Sequence, residues 1–159
     1  MTETTELLLN SRLGAELSQD EATKLANFMQ LRELKSGDHL IVEGTVDESL
    51  HVIIEGNLEV IKRTAGDGIS NIAVIREGNL AGELSFIDGD VHTVGLRTLS
   101  DCKVLSLARV DFENFISTEP QLVYKVMRAV TRSAHQIMHQ MNDEFIELNN
   151  YIFKQHGRY

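Results

Sequence analysis

The chain of 159 residues holds a single cysteine, Cys102, and a single proline, Pro120. One cysteine excludes an intrachain disulfide and fits a reducing compartment. The proline lies late, so no run between residues 30 and 107 is barred from a central sheet position on that ground. Positive charge is scarce as well: 15 Lys and Arg against 24 Asp and Glu leave a formal charge of −9. That balance argues against the broad basic face of a nucleic-acid binder. It leaves room for a small nucleotide, whose phosphate needs only local donors. The opening Met1-Thr2-Glu3-Thr4-Thr5-Glu6 lacks the basic and apolar regions of a signal peptide, and no apolar run approaches a membrane span. Together these absences predict a cytoplasmic protein with no membrane segment.

Catalytic and metal motifs are missing too. The sequence contains no Walker-type loop, no redox motif and no nucleophile–base constellation. Cys102 has no His or cationic neighbour in sequence and reads as a buried strand residue. His135 and His139 lie four apart and so share a helix face. No Glu stands between them in the metalloprotease arrangement and no third ligand is spaced to join them, which points to a solvated polar face. His39, His51 and His92 are scattered over separate runs, without the His-x-His pair of a metal-binding cupin. The expectation is a protein that is not an enzyme and holds no metal and no cofactor.

What is present fits one domain, or one domain with an extension: 42% of the residues are hydrophobic and 25% charged. Residues 1–29 are expected to form an N-terminal helical segment, with one or two short helices between residues 11 and 29. Ser18-Gln19-Asp20-Glu21 fits a capping box, and Leu25, Phe28 and Met29 follow at helical spacing. Residues 30–117 change texture. Short β-rich runs (31–34, 39–42, 50–54, 58–62, 69–76, 92–99 and 102–107) alternate with Gly, Asp and Asn turns. This punctuation predicts a mainly β fold with flanking helices, an antiparallel β-barrel or jelly roll.

A short helix is expected near Val110 to Ile116, then a long one over 118–156. Thr118-Glu119-Pro120-Gln121 reads as an N-cap, a first-turn proline and a Gln placed to complete a capping box. No glycine follows until Gly157, so about 36 residues of helix would reach roughly 55 Å. Its apolar stripe runs through Val123, Val126, Val130, Ala134, Ile137, Met141, Phe145, Leu148 and Ile152. The early turns can cover the β-domain; the later ones would leave their stripe in water unless another helix meets it. A parallel homodimer through this helix is the expected assembly, with Val126, Val130, Ala134, Ile137, Met141, Phe145, Leu148 and Ile152 on the paired face; the alternative is a helix packed wholly on its own β-domain.

The segment Gly82-Glu83-Leu84-Ser85-Phe86-Ile87-Asp88-Gly89-Asp90-Val91-His92-Thr93 places a glycine and an acid at the start of a short helix. Glycine lets backbone approach a ligand, and helix N–H groups suit an anion. The segment resembles the phosphate-binding cassette of cyclic nucleotide-binding domains, whose usual pattern is Gly-Glu-Leu-Ala-Leu followed by Pro-Arg-Ala. Gly82, Glu83 and Leu84 match; Val91, His92 and Thr93 stand where Pro, Arg and Ala would be. Residues 34–44, 49–60 and 99–112 also resemble the family's strands and turns, in order. The resemblance covers roughly residues 13 to 150 and implies a cAMP or cGMP ligand, a lid helix and a helix-paired dimer.

The resemblance also implies site residues. Glu83 would accept from a ribose 2′-hydroxyl; without a ligand, an acid in a first helical turn is stabilised by the helix dipole alone. Gly82, Leu84, Ser85 and Thr93 complete the expected cassette contacts, and Thr93 offers a hydroxyl. His92 replaces a bidentate arginine fork, a loss of about 1.5–3 kcal/mol. The alternative is that His92 merely begins a strand. Asp88 and Asp90 would repel a phosphate further. Ile137 and Met138 fall where catabolite-activator-type proteins place polar helix residues on adenine; an apolar lid can stack on a base but cannot read its edge. Those regulators continue into a winged helix-turn-helix, whereas this sequence ends at Tyr159, so direct DNA binding is not expected. The expected function is a regulatory sensor that binds cAMP, cGMP or a related ligand weakly and signals through its helix dimer. The alternative is a ligand-independent dimeric scaffold with a degenerate pocket.

Overall fold

A computed structural model describes residues 1–156. The helix α1 (Glu3–Leu9) starts at Thr2, whose hydroxyl accepts from the Thr5 N–H. A 3-10 turn at Gly14–Glu16 leads to α2 (Gln19–Ala26). The α2 capping box forms as its sequence predicts: Ser18 accepts from the Glu21 N–H, and the Glu21 carboxylate accepts from the Ser18 N–H.

Among the described residues eight strands follow or interleave with helices: β1 (Met29–Leu34), β2 (His39–Ile41), β3 (Ser49–Glu55), β4 (Leu58–Arg63), β5 (Ile69–Ile75), β6 (Leu80–Ala81), β7 (Gly95–Thr98) and β8 (Cys102–Ala108). Between β6 and β7 sits α3 (Glu83–Asp88); after β8 come α4 (Arg109–Glu113), α5 (Phe115–Thr118) and α6 (Pro120–His156). One sheet runs β1-β8-β3-β6 and the other β2-β7-β4-β5. Every pairing is antiparallel; Met29 faces Leu107 at one end of the β1–β8 ladder and Leu34 faces Cys102 at the other.

The expected mainly β barrel does not form. The fold is mixed α/β, two four-stranded antiparallel sheets with a long C-terminal helix, and among the described residues no ladder joins the sheets into a closed barrel. The edges explain why. The strand β6 has two residues and β2 three, with a register shift between His39 and Ile41, so neither offers a long ladder for closure. At the β5 edge a side chain takes the place of a strand. With its amide oxygen turned toward the Val74 N–H, Gln140 of α6 bonds both backbone groups of Val74 at 3.2 Å.

Six of the seven β-rich runs form strands near their expected bounds, and the run opening at His92 is a loop until Gly95. The expected helix near 110–116 is two helices, and Thr118 is the last residue of α5 rather than an N-cap. Glu119 then turns the chain with φ −136° and ψ 63°, and its carboxylate pairs with Lys24 at 2.7 Å.

The larger core joins the N-terminal helices to the β1-β8-β3-β6 sheet and α6 through Leu8, Leu25, Leu50, Leu107, Phe112 and Leu122. Phe86 packs there with its ring 5.1 Å from that of Phe112. The smaller core lies between the sheets, around Ile53, Leu58, Ala81 and Val104. Leu122 and Val126 of α6 are fully buried, whereas Phe145 is 64% and Leu148 55% exposed. The helix therefore belongs to the core at its start and leaves it near Met141. Leu122→Ala is expected to lower the unfolding free energy by about 2–5 kcal/mol. Phe145→Ala should change it by no more than about 0.5 kcal/mol in dilute, monomeric samples. Urea titrations of both variants check the division; equal losses would show that the far half of α6 packs like the near half.

Candidate ligand site between the cassette and the C-terminal helix

The site begins at a glycine that no other residue replaces cheaply. Gly82 has φ +74° and caps α3, and a Cβ there would stand 3.0 Å from the Ser49 carbonyl and 3.1 Å from Ile41 Cδ1. Left-handed backbone and close packing both demand glycine. The turn it makes drives Glu83 inward to 4% exposure. There Ser133 of α6 donates its hydroxyl to Glu83 Oε1 at 3.1 Å. Burial pushes the Glu83 carboxyl above its ordinary pKa, against the pull of its own backbone N–H and of Ser133.

His92 is engaged on every side. Its N–H donates to the Thr45 carbonyl at 2.8 Å, and its carbonyl accepts from the Gly44 N–H at 2.8 Å. The ring Nε2 lies 3.2 Å from the Asp47 carbonyl and Nδ1 3.0 Å from Ser85 Oγ. A carbonyl only accepts, so Nε2 carries the proton, and Nδ1 accepts a hydrogen bond from the Ser85 hydroxyl. His92 thus ties the cassette helix to the β2–β3 loop. Asp47 extends the network: its carboxylate holds buried His51 at 2.9 Å, and the other His51 nitrogen meets Ser106 Oγ at 2.7 Å. Burial alone would raise the Asp47 pKa, but the His51 hydrogen bond and charge, with Ser49 and His92, bring it below its ordinary value.

Between α3, the β2-β7-β4-β5 sheet and α6 lies a cavity of about 340 Å³, within the lower range of ligand pockets. Ile41, Val60, Ile75 and Leu96 line the sheet side, and Ile137 and Met141 the helix side. The polar lining comes from Glu83, Ser85, Asp88, Asp90, His92 and Thr93. Its charged members are all acidic. At 4 Å, one carboxylate opposes a phosphate charge by about 1 kcal/mol in water and about 4 kcal/mol in a partly screened site.

A family model described as the cyclic nucleotide-binding domain matches residues 31–119. The chain belongs to the cyclic nucleotide-binding domain family. It is a regulatory module of the type found in cyclic-nucleotide sensors and catabolite-activator-like proteins. A solved cyclic nucleotide-binding domain from Methylobacillus flagellatus superposes with a TM-score of 0.79 at 24% identity, covering 91% of this chain and 82% of that one. The regulatory subunit of a cAMP-independent protein kinase A from Trypanosoma cruzi, bound to guanosine, gives 0.63 at 26% identity over 71% of this chain and 40% of that one. Human patatin-like phospholipase domain-containing protein 6 is 28% identical over 131 residues. The match spans 80% of this chain but only 10% of that relative's length. Among the described residues no group of three metal-ligating side chains forms. His135 and His139 stack at 4.5 Å between ring centroids.

Of the residues the sequence singles out, Gly82, Glu83, Leu84, Ser85, His92, Thr93 and Ile137 meet at this cavity. Met138 does not; it is 55% exposed beyond the lining. Ala134 and Met141 line the wall instead, because residues three and four from Ile137 share its helix face. Val126 and Val130, placed with the paired-helix stripe, are buried in this chain's own core. Ser133 escaped notice, since nothing local distinguishes a serine on a helix whose partner lies 50 residues away.

Two outcomes test this geometry. A carboxyl with a raised folded pKa gives its full stability below the ordinary carboxylate range and loses it as pH rises through the folded value. Glu83→Gln should therefore melt higher than the parent at pH 7, with the gap closing below about pH 4. His92→Ala should lose about 1–3 kcal/mol of stability, because Ser85 and the Asp47 carbonyl are left without a partner. Thermal melts across pH and a urea titration measure the two.

Proposed function

We propose that this module is a sensor whose cavity takes a cyclic nucleotide weakly, or a related nucleoside ligand, and reports occupancy through α6. The observation that carries this reading is the hydrogen bond from Ser133 to Glu83. Carried over from the family, Glu83 accepts from a ribose 2′-hydroxyl, so a bound ribose competes with Ser133 for the same carboxylate. Ligand and helix then share one partner, which supplies the differential contact a switch requires. Gly82, Leu84, Ser85, His92 and Thr93 would frame the sugar end, while Ile137 and Met141 would cover the base. The T. cruzi relative's guanosine supports a ligand outside the cyclic phosphates.

In this reading residues 30–117 bind and 118–156 report, with 1–29 packed beside them. The reporting element is a homodimer: Met138, Met141, Phe145 and Leu148 are 39% to 64% exposed along α6, and a parallel second copy would cover them. No helix among the described residues is long and apolar enough to cross a membrane, in keeping with a cytoplasmic module. A second reading, a ligand-independent dimeric scaffold, is favoured by the engagement of both His92 nitrogens within the protein.

Calorimetric titration with cAMP and cGMP at about pH 6 and pH 8 separates the two. Saturable binding, weaker than micromolar, supports the sensor; silence to cyclic nucleotides and nucleosides alike leaves the scaffold. Sedimentation at micromolar protein is expected to show a dimer that Phe145→Asp with Leu148→Asp dissociates. A parent that sediments as a monomer would contradict the paired helix.

A further inference from the structure

The charged groups around the cavity bear on which ligand it accepts. Glu83, Asp88 and Asp90 line it, and among the described residues no Lys or Arg does. Two basic side chains that touch the cassette from outside, Lys62 and Arg109, are already paired with carboxylates. The ammonium of Lys62 donates to the Thr93 carbonyl at 2.7 Å and to Glu43 at 2.9 Å. The guanidinium of Arg109 lies against Gly89 and pairs with Glu48 at 3.1 Å and Glu113 at 3.0 Å. His92, at the place of the family's arginine, is tied through both ring nitrogens to Ser85 and the Asp47 carbonyl.

Polarity in the cavity is also divided. The carboxylates and hydroxyls gather at the α3 end, while Ile75, Ile137 and Met141 contribute apolar wall. Carboxylates accept and do not donate, so the end of the ligand facing Glu83 must bring its own O–H or N–H groups. The remainder of the ligand must be a surface that apolar side chains can cover without leaving unpaired polar atoms.

We infer that this site selects a ligand without an anionic group, a neutral nucleoside in place of its 3′,5′-cyclic phosphate, and that Asp88 and Asp90 enforce the choice. The inference rests on the reading of the cavity as a ligand site and specifies what that site takes. Discrimination arises from repulsion of the wrong ligand more than from added contact with the right one. Raised salt weakens that repulsion at the exposed mouth.

The test is calorimetric titration of the full chain with adenosine, guanosine, cAMP and cGMP, on the parent and on an Asp88→Asn, Asp90→Asn variant. At low salt, a nucleoside is expected to bind the parent at least about tenfold tighter than its own cyclic phosphate. The variant should narrow that ratio by about threefold or more, because asparagine keeps the shape and the acceptor while removing the charge. A cyclic phosphate that binds the parent as tightly as its nucleoside overturns the inference and leaves the sensor reading intact. A ratio that the variant does not move overturns the assignment to Asp88 and Asp90. Silence from all four ligands at millimolar concentration overturns the inference and the sensor reading together.

Discussion

A carboxylate buried at the foot of a short helix must be satisfied from within the fold; in this chain its own backbone N–H supplies one partner and the long helix α6 supplies another. Gly82 turns the backbone so that Glu83 points inward, and Ser133 answers it from α6. The cost of an unpaired buried acceptor is of the order of 1–3 kcal/mol. The position of α6 over the cassette is therefore fixed by polar satisfaction as well as by the packing of Leu122, Val126 and Val130. Anything that offers Glu83 another donor loosens one of those two holds and leaves the other.

The same division runs along α6. Its first turns complete the core that the N-terminal helices and the β1-β8-β3-β6 sheet begin, and Ile137 and Gln140 fasten its middle to the second sheet. Beyond Met141 the helix makes its own surface, with Phe145 and Leu148 mostly in water. A helix held at one end and apolar at the other can carry a small displacement from a cavity to a partner, because the packed part moves as a body while the far part amplifies it.

Much of the arrangement was legible in the residues. The cassette is recognisable from Gly82-Glu83-Leu84, the Ser18 capping box from its spacing, and the length of α6 from the lack of glycine and proline after Pro120. Each is a local signal. What escaped depends on partners far along the chain. The role of His92 is set by Asp47, 45 residues away, and the site wall passes through Ala134 and Met141 rather than Met138 by a rotation of one helix position. Barrel closure was expected from evenly spaced strands. The two-residue β6 carried no strand signal of its own, and it is at such short edges that the sheets stop.

The central claim, that ligand and α6 share Glu83, is tested most directly by amide hydrogen exchange of the protein with and without a saturating nucleoside. Protection should change across the part of α6 that flanks Ser133, residues 126–141, while the β3 and β8 amides stay as they are. Calorimetrically proven binding with unchanged exchange along that part of α6 would contradict it.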